Sequence, residues 1–314
     1  MFGSHLSIAG GLHNALLAAQ ALKMDCVQVF TKNQRQWAAP ALTREQMDLW
    51  NRHRRDTGIA AVVSHDSYLI NLATPAPLVR SQSIALFRDE LSRCAALDIP
   101  HLVTHPGSHV GAGEDEGLRL VAAALNQVHG ELPGLSVVTC LEVTAGQGTG
   151  LGYRFEHLRH IIDLVRQPER LAVCLDTAHL LAAGYDLTSA AGCRAMLDEL
   201  EACLGLNLVK VIHVNDSKTP RGSRVDRHTH IGQGFVALEA FGTLLRQERF
   251  RQTPMILETP KEKAPDGRDW DAVNLETLRR LSRRSGPAAP RRRKKQPEDA
   301  PQRHRDTKNL KSKI

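Results

Sequence analysis

Eight short apolar segments alternate with eight longer amphipathic segments along most of this chain, and this order restricts the fold more than any other feature. It is typical of parallel strands joined by crossover helices. The predicted strands are 3–7, 26–30, 61–65, 101–105, 137–142, 171–176, 208–214 and 255–258. The predicted helices are 11–22, 43–57, 77–97, 116–129, 155–166, 189–204, 236–247 and 269–283. Eight such units in a chain of this length predict an α/β fold closed into a (β/α)8 barrel. An open doubly wound sheet is the alternative.

The basic residues are concentrated at the C-terminal end. The chain has 41 Lys and Arg against 34 Asp and Glu, a formal net charge of +7. Residues 285–314 hold ten of the basic and three of the acidic residues, so residues 1–284 hold 31 of each and are formally neutral. The end segment is rich in Pro, Lys and Arg, a composition typical of disorder. We therefore expect a barrel domain at 1–284 and a disordered basic tail at 285–314.

The six cysteines lie in apolar segments, and none forms a Cys-x-x-Cys pair. Buried free thiols in a reducing compartment are therefore expected rather than disulfides. The N-terminus has no basic segment followed by an apolar one, and no apolar run approaches the roughly 18 residues needed to span a bilayer. These features predict a cytoplasmic protein, associated with the nucleoid in a bacterium, that does not bind membranes.

Residues 213–228, HVNDSKTPRGSRVDRH, combine metal-binding and basic side chains. Histidine and carboxylate together are the usual ligands of zinc and similar ions. Alternate residues of an extended segment project to the same side, so Asp226 and His228 are placed to bind one ion. His213 and Asp216 are further candidates. The basic residues between them suit phosphate groups: Lys218, Arg221, Arg224 and Arg227. This segment favours a metal-dependent phosphodiesterase acting on nucleic acid.

Metal-binding side chains also lie at, or just after, the C-terminal ends of the other predicted strands. The full set has five histidines and four carboxylates: His65, His105, Glu142, Asp176, His179, His213, Asp226, His228 and Glu258. In a closed barrel these strand ends meet at one mouth. One such residue alone is more often structural, but this set exceeds the ligands of a single catalytic zinc and is sufficient for two or three ions. Bound ions would give a formally neutral domain a cationic mouth that attracts a phosphodiester.

The same residues lie in longer segments that resemble endonuclease IV, the zinc-dependent apurinic/apyrimidinic endonuclease of DNA base-excision repair. The segments are FTKNQRQW (30–37), SHDSYLINLA (64–73), THPGSH (104–109), LEVTAGQG (141–148), FEHL (155–158), LDTAHLLAAGYD (175–186), HVNDSK (213–218), GSRVDRH (222–228) and ILET (256–259). They occur in the family's order, and the tail lies outside the resemblance. The resemblance implies a TIM barrel that hydrolyses duplex DNA on the 5′ side of abasic sites, giving a 3′-hydroxyl and a 5′-deoxyribose phosphate. It also implies 3′-end trimming as a phosphatase and phosphodiesterase, action as a monomer and no covalent intermediate.

The resemblance further implies a cofactor of three zinc ions per chain. One ion would be held by His65, His105 and Glu142. The second would share Glu142 and add Asp176, His213 and Glu258, and the third would take His179, Asp226 and His228. Glu142 bridges two ions in this scheme and is the implied catalytic residue. Asp216 is not part of the implied ligand set.

The family's DNA-contacting positions are also recognisable. Arg35, Tyr68 and Leu69 match side chains that wedge into the duplex and help to hold the abasic nucleotide out of it. Opening costs less there than the few kcal/mol of an intact step, because an abasic site lacks a stacking partner. Loop packing is the alternative role for Tyr68 and Leu69. His5 lies in the first predicted strand and is expected to face the same mouth, either behind a metal ligand or in contact with a phosphate.

Val143 departs from the family pattern. Many members have a polar residue, commonly Asn, next to the bridging glutamate. A valine side chain cannot form a hydrogen bond, so a polar contact from that side chain is in doubt. No implied metal ligand is affected, and activity is still expected.

Two other functions are compatible with parts of the sequence. A sugar isomerase or epimerase using Mn²⁺ or Mg²⁺ needs only Glu142, Asp176, His213 and Glu258, which leaves the other five ligands unexplained. A non-enzymatic damage-binding protein would rely on the basic tail, where RRRKK (291–295) favours phosphate contacts or nuclear localisation. The complete ligand set favours the endonuclease.

Overall fold

Parallel hydrogen bonding joins eight strands into a closed barrel in the computed structural model, which describes residues 1–283. The barrel strands are β1 Phe2–His5, β2 Cys26–Val29, β3 Ala61–His65, β4 His101–Thr104, β5 Val138–Glu142, β6 Leu171–Asp176, β7 Val209–His213 and β10 Met255–Leu257. They follow the order β1-β10-β7-β6-β5-β4-β3-β2. A short antiparallel pair, β8 Asp216–Ser217 and β9 His228–Thr229, lies in the connection after β7.

Helices follow the strands along the chain. They are α1 His13–Ala21, α2 Arg44–Thr57, α3 Pro77–Ala96, α4 Glu114–Glu131, α5 Phe155–Leu164, α6 Thr177–Ala183, α7 Ala190–Cys203, α8 Leu238–Leu245 and α9 Trp270–Ser282. The predicted (β/α)8 barrel is confirmed, and the ends of its sixteen predicted elements agree with the structure to within two residues. The short helix α6 and the β8–β9 pair were not predicted.

Local signals set the ends of several helices. At the start of α2, the Thr43 hydroxyl accepts a hydrogen bond from the Gln46 backbone N–H, and the Gln46 side chain accepts one from the Thr43 N–H. This reciprocal cap satisfies two N–H groups that have no partner within the helix. Gly58 follows the last residue of α2 and caps it, with a φ of 66° that is easily adopted only by glycine.

A group of buried apolar residues fills the barrel interior and is called the inner cluster. Its members are Cys26, Val63, Val103, Cys140, Ala172, Cys174, Val211 and Ile256. Side chains two residues apart on a strand point to the same face. Seven members therefore place a polar residue on the same face two positions later, towards the C-terminal mouth: Gln28, His65, His105, Glu142, Asp176, His213 and Glu258. The inner cluster thus forms the apolar base of a polar mouth.

Other predictions on the body of the chain can also be compared with the structure. The six cysteines are free, five of them buried and Cys203 partly so, as predicted. Among residues 1–283, no helix is long and apolar enough to cross a membrane. The predicted disordered tail at 285–314 lies outside the described residues and stays a prediction.

Candidate metal centre

Glu142, fully buried at the end of β5, lies at the centre of the mouth. Its Oε2 is 3.1 Å from His65 Nε2 and 3.2 Å from His105 Nε2. Its Oε1 is 2.9 Å from His213 Nδ1. The two carboxylate oxygens therefore face two different sets of histidines, which is the arrangement expected of a bridging ligand.

Two further groups adjoin this carboxylate. Glu142, Asp176, His213 and Glu258 each offer one ligand atom within 4.8 Å of the others. Beyond them, Asp226 places its Oδ2 3.3 Å from His179 Nε2 and its Oδ1 3.4 Å from His228 Nε2. Asp176 Oδ2 is also 3.6 Å from His228 Nε2, so Asp176 lies between the second group and the third. All nine predicted side chains are therefore brought together.

Four of the histidines are oriented by a contact between one ring nitrogen and a backbone or amide oxygen. Nδ1 of His65, His179 and His228 lies 2.9, 3.0 and 3.3 Å from the backbone oxygens of Asp66, Val143 and Glu258, in that order. Nε2 of His213 lies 2.8 Å from Gln28 Oε1. Metal-binding histidines are usually held this way, because the outer hydrogen bond fixes the tautomer and the ring orientation.

Two of the inward-facing nitrogens also point to a cation. Nε2 of His179 and Nε2 of His228 are buried and have no hydrogen-bond partner. Leaving a buried polar atom unpaired costs about 1–3 kcal/mol. A divalent ion among these nitrogens and the facing carboxylates would satisfy them, so the donor set fits metal binding.

The charge balance supports the same interpretation. Burial by itself raises the pKa of the Glu142 carboxyl, but the surrounding histidines, His213 and then His105, hold that pKa well below its usual range. For His179 the signs are reversed: burial lowers its pKa, and the carboxylates, Asp176 first, raise it well above the usual value. The mouth therefore stabilises ionised carboxylates together with positive charge among them.

Two buried amide side chains hold the carboxylates in place, and neither was predicted to do so. Asn215 donates from Nδ2 to Asp176 Oδ2 at 2.7 Å and accepts from the Glu258 backbone N–H at 2.7 Å. Gln28 donates from Nε2 to Glu258 Oε1 at 2.6 Å. The sequence does contain a signal for Gln28, which is a polar residue in an otherwise apolar strand, two positions after an inner-cluster residue.

Val143 takes part in the centre through its backbone. Its N–H donates to the Cys174 carbonyl at 2.9 Å, and its carbonyl lies 3.0 Å from His179 Nδ1. Its side chain is fully buried and belongs to the hydrophobic core. The contact that orients His179 therefore does not depend on a polar side chain at this position.

Of the three predicted DNA-contacting residues, Tyr68 lies at the mouth. Tyr68 is 60% exposed, and its ring centroid lies 5.5 Å from that of His65 and 6.1 Å from that of His105. Leu69 is half-buried against the hydrophobic core, and Arg35 is exposed. A cavity of about 510 Å³ at the mouth is lined by residues that include Tyr68, His105, His179 and Asp226. Tyr68 is thus exposed beside the histidines of the mouth, whereas Leu69 packs partly against the hydrophobic core.

The arginines of segment 213–228 lie in different surroundings, and only one of them lines the mouth cavity described above. Arg227 lines the mouth cavity. Arg221 is bound to the Gly184 carbonyl and lies 3.8 Å from Asp186, and Arg224 lies over the Tyr153 ring at 4.1 Å. Asp216 turns away from the metal centre and accepts backbone hydrogen bonds from four residues, which agrees with its omission from the ligand set.

Comparison with known proteins agrees with this geometry. Residues 16–282 match a family model described as a xylose isomerase-like TIM barrel. The probable endonuclease 4 of Chloroflexus aurantiacus is 49% identical over 282 residues, which cover 89% of this chain and 97% of that protein. The probable endonuclease 4 of Geobacter sulfurreducens is 44% identical, covering 90% and 94%.

This chain belongs to the endonuclease IV family. The crystal structure of endonuclease IV from Thermus thermophilus superimposes with a TM-score of 0.77 at 34% identity, covering 89% of this chain and 98% of that one. A D-tagatose 3-epimerase-like protein shares the fold alone, with a TM-score of 0.67 at 18% identity. The predicted class is thereby confirmed: the chain is a metal-dependent endonuclease of DNA repair.

Proposed function

We propose that this enzyme cuts duplex DNA on the 5′ side of an abasic site, leaving a 3′-hydroxyl and a 5′-deoxyribose phosphate. The observation that carries the proposal is the mouth itself, where nine ligand side chains lie together with Glu142 at their centre and four histidines are held by a second ring nitrogen. A reaction on a phosphodiester needs strong stabilisation of negative charge, and a cluster of divalent ions supplies it.

The proposed cofactor is three zinc ions per chain, held by the ligand groups that the family resemblance implies. His65, His105 and Glu142 would hold one ion, and Glu142, Asp176, His213 and Glu258 a second. His179, Asp226 and His228 would hold the third, with Asp176 close enough to contribute. Ions bound there would activate water and stabilise the leaving oxygen. The protein would hold these ligands above the apolar inner cluster and orient them through hydrogen bonds.

The exposed residues of the mouth would select the damaged site. Tyr68 is the proposed wedge, since its ring stands over the histidines and is free to stack against a base pair. Arg35 and Leu69 would support the opened duplex from neighbouring loops. An abasic position offers least resistance to such opening. We also propose 3′-end trimming by the same centre, action as a monomer, and a domain boundary near residue 284.

A duplex with one tetrahydrofuran abasic analogue tests the proposal. The zinc-loaded protein should make one nick, on the 5′ side of the lesion, with a 3′-hydroxyl end. Glu142→Gln keeps the shape but removes the bridging charge. Loss of outer-sphere partners alone lowers activity about 10–100-fold, so losing this ligand should cost more than about 100-fold. An intact duplex at high enzyme concentration would disprove the proposal.

The sugar epimerase alternative is tested with the same preparation. It needs only the group Glu142, Asp176, His213 and Glu258. His228→Gln should therefore abolish nicking if the third ion acts, whereas it would spare an epimerase. Turnover of ketoses together with an uncut abasic duplex would favour the alternative.

A further inference from the structure

Gln28 is buried at a position where a polar side chain destabilises the fold unless its donors and acceptors form hydrogen bonds. It lies in β2 between two valines, and its exposure is 0%. Its side chain follows Cys26 of the inner cluster on the same face of the strand and so enters the barrel at the level of the metal centre. A buried amide without partners would be destabilising by several kcal/mol in an apolar interior.

Each polar atom of the Gln28 side chain contacts a residue of the mouth. Nε2 lies 2.6 Å from Glu258 Oε1 and 3.0 Å from His5 Nδ1. Oε1 lies 2.8 Å from His213 Nε2. Glu258 and His213 belong to the same ligand group, so one amide joins two neighbouring ligands.

The chemistry of these partners fixes the orientation of the amide. An ionised carboxylate only accepts hydrogen bonds, so Glu258 must face the Nε2 donor of Gln28. The opposite orientation would place two acceptor oxygens 2.6 Å apart. Oε1 must then accept a hydrogen bond from His213, and the proton of that imidazole must be on Nε2. In the neutral imidazole that would bind a metal, the lone pair of His213 is then on Nδ1, which faces Glu142 at 2.9 Å and Glu258 at 3.1 Å.

We propose that Gln28 is a positioning residue for the second metal ion: it sets the tautomer of His213 and the orientation of the Glu258 carboxylate. This inference rests on the proposed metal-dependent function, because it assigns a role around the second ligand group. The same amide also contacts His5, whose Nδ1 accepts from Gln28 Nε2 and lies 3.4 Å from Glu258 Oε1. A purely structural amide would affect folding but not the affinity of one particular ion.

Gln28→Met tests the proposal, since methionine has a similar length and no hydrogen-bonding amide. Zinc affinity is measured by competition with a chelator, and zinc content is counted after dialysis. We expect one site per chain to lose about 10–100-fold in affinity, the range measured for outer partners of metal ligands, and the other ions to be retained. Thr139→Val is the matched control, because Thr139 is fully buried in β5 and its hydroxyl has no hydrogen-bond partner. Wild-type affinity and content in Gln28→Met would overturn the proposal.

A second measurement covers the case in which Gln28→Met does not fold. Long-range proton–nitrogen correlation spectra of nitrogen-labelled histidines in the zinc-loaded wild type should show His213 protonated at Nε2 and metal-bound at Nδ1. The opposite assignment would overturn the proposal. These results are separate from the proposed function, because zinc binding is measured without DNA. A wild type that binds zinc but leaves the abasic duplex intact would refute only the proposed reaction.

Discussion

Each oriented histidine of the metal centre uses its two ring nitrogens for different purposes. In His65, His179 and His228, Nδ1 contacts a backbone oxygen and Nε2 faces carboxylates, whereas His213 uses its nitrogens in the reverse order. In all four histidines the outer partner is a carbonyl-type oxygen, from the Gln28 side chain at His213 and from the backbone at the others. The ring nitrogen that meets this oxygen carries the proton, and the other nitrogen is left for the metal.

His129 lies near Arg170 and not near the carboxylates that surround the metal-centre histidines. Protonation of His129 should therefore destabilise the folded state. It is buried in α4, its Nδ1 has no hydrogen-bond partner, and burial together with the nearby Arg170 lowers its pKa to about 4. The unfolded chain has a histidine pKa of about 6.5. Between about pH 6.5 and pH 4 the unfolded state therefore binds more protons, so the contribution of His129 is complete above this window and is lost as the pH falls.

We predict that His129→Phe makes stability less dependent on pH in that window. We compare the free energies of unfolding of the wild type and the variant. The wild-type value minus the variant value should decrease by up to about 1.4 kcal/mol for each pH unit as the pH is lowered from 6.5. Urea unfolding at a series of pH values measures it, and any loss of zinc in acid affects both proteins alike. Parallel curves for the two proteins would show that His129 is not held neutral.

At the scale of elements, Asp216 organises the long connection between β7 and α8. Its carboxylate accepts from the backbone N–H groups of Ser217, Gly232, Gly234 and Val236, each within 2.9 Å. Gly234 is required there, since a Cβ would lie 2.2 Å from the Ser217 carbonyl oxygen. The connection includes β9 and so positions His228.

Asp216→Asn should destabilise this connection. An amide has only one acceptor oxygen and would direct its NH₂ group at backbone donors, leaving buried N–H groups unpaired at a cost of about 3 kcal/mol or more. We expect a lower urea midpoint and weaker zinc retention. Asp198→Asn, at an exposed position of α7, is the control and should stay within about 0.5 kcal/mol of wild type. An unchanged midpoint in Asp216→Asn would contradict this role.

Most of the barrel and the ligand set were predictable because they follow from strand periodicity. The strands alternate with helices, and six of the nine ligands follow inner-cluster residues by two positions. His179 lies just after β6, and Asp226 and His228 lie in the connection after β7. The missed elements lack such a signal. Helix α6 has only seven residues, and it begins because Asp176 at the end of β6 also caps it, accepting from the His179 N–H at 2.8 Å. The roles of Gln28, Asn215 and Asp216 depend on contacts between distant segments, which a single sequence does not reveal.

At the scale of the whole molecule, the charge is divided between a formally neutral barrel and a basic tail. We predict that deletion of residues 285–314 weakens DNA binding at low salt and leaves the cleavage step unchanged. The salt dependence should become flatter by about 0.9 for each DNA phosphate that the tail no longer neutralises. Binding at several salt concentrations and single-turnover cleavage at saturating enzyme measure the two effects.

A full-length control separates tail charge from tail length. Glutamine replaces the five basic residues of the tail's first cluster: Arg291, Arg292, Arg293, Lys294 and Lys295. If charge matters, this variant should lose part of the binding at low salt. Slower single-turnover cleavage in the deletion variant would instead mean that the tail takes part in the reaction.

Stepwise return of zinc to the metal-free enzyme tests the central claim most directly. The nicking rate on the tetrahydrofuran duplex is measured after each addition, and bound zinc is counted by native mass spectrometry. A centre of about three coupled ions predicts little nicking until the last ion is bound, and one nick 5′ to the lesion thereafter. Full activity with one bound zinc, or an uncut duplex in the fully loaded enzyme, would contradict it.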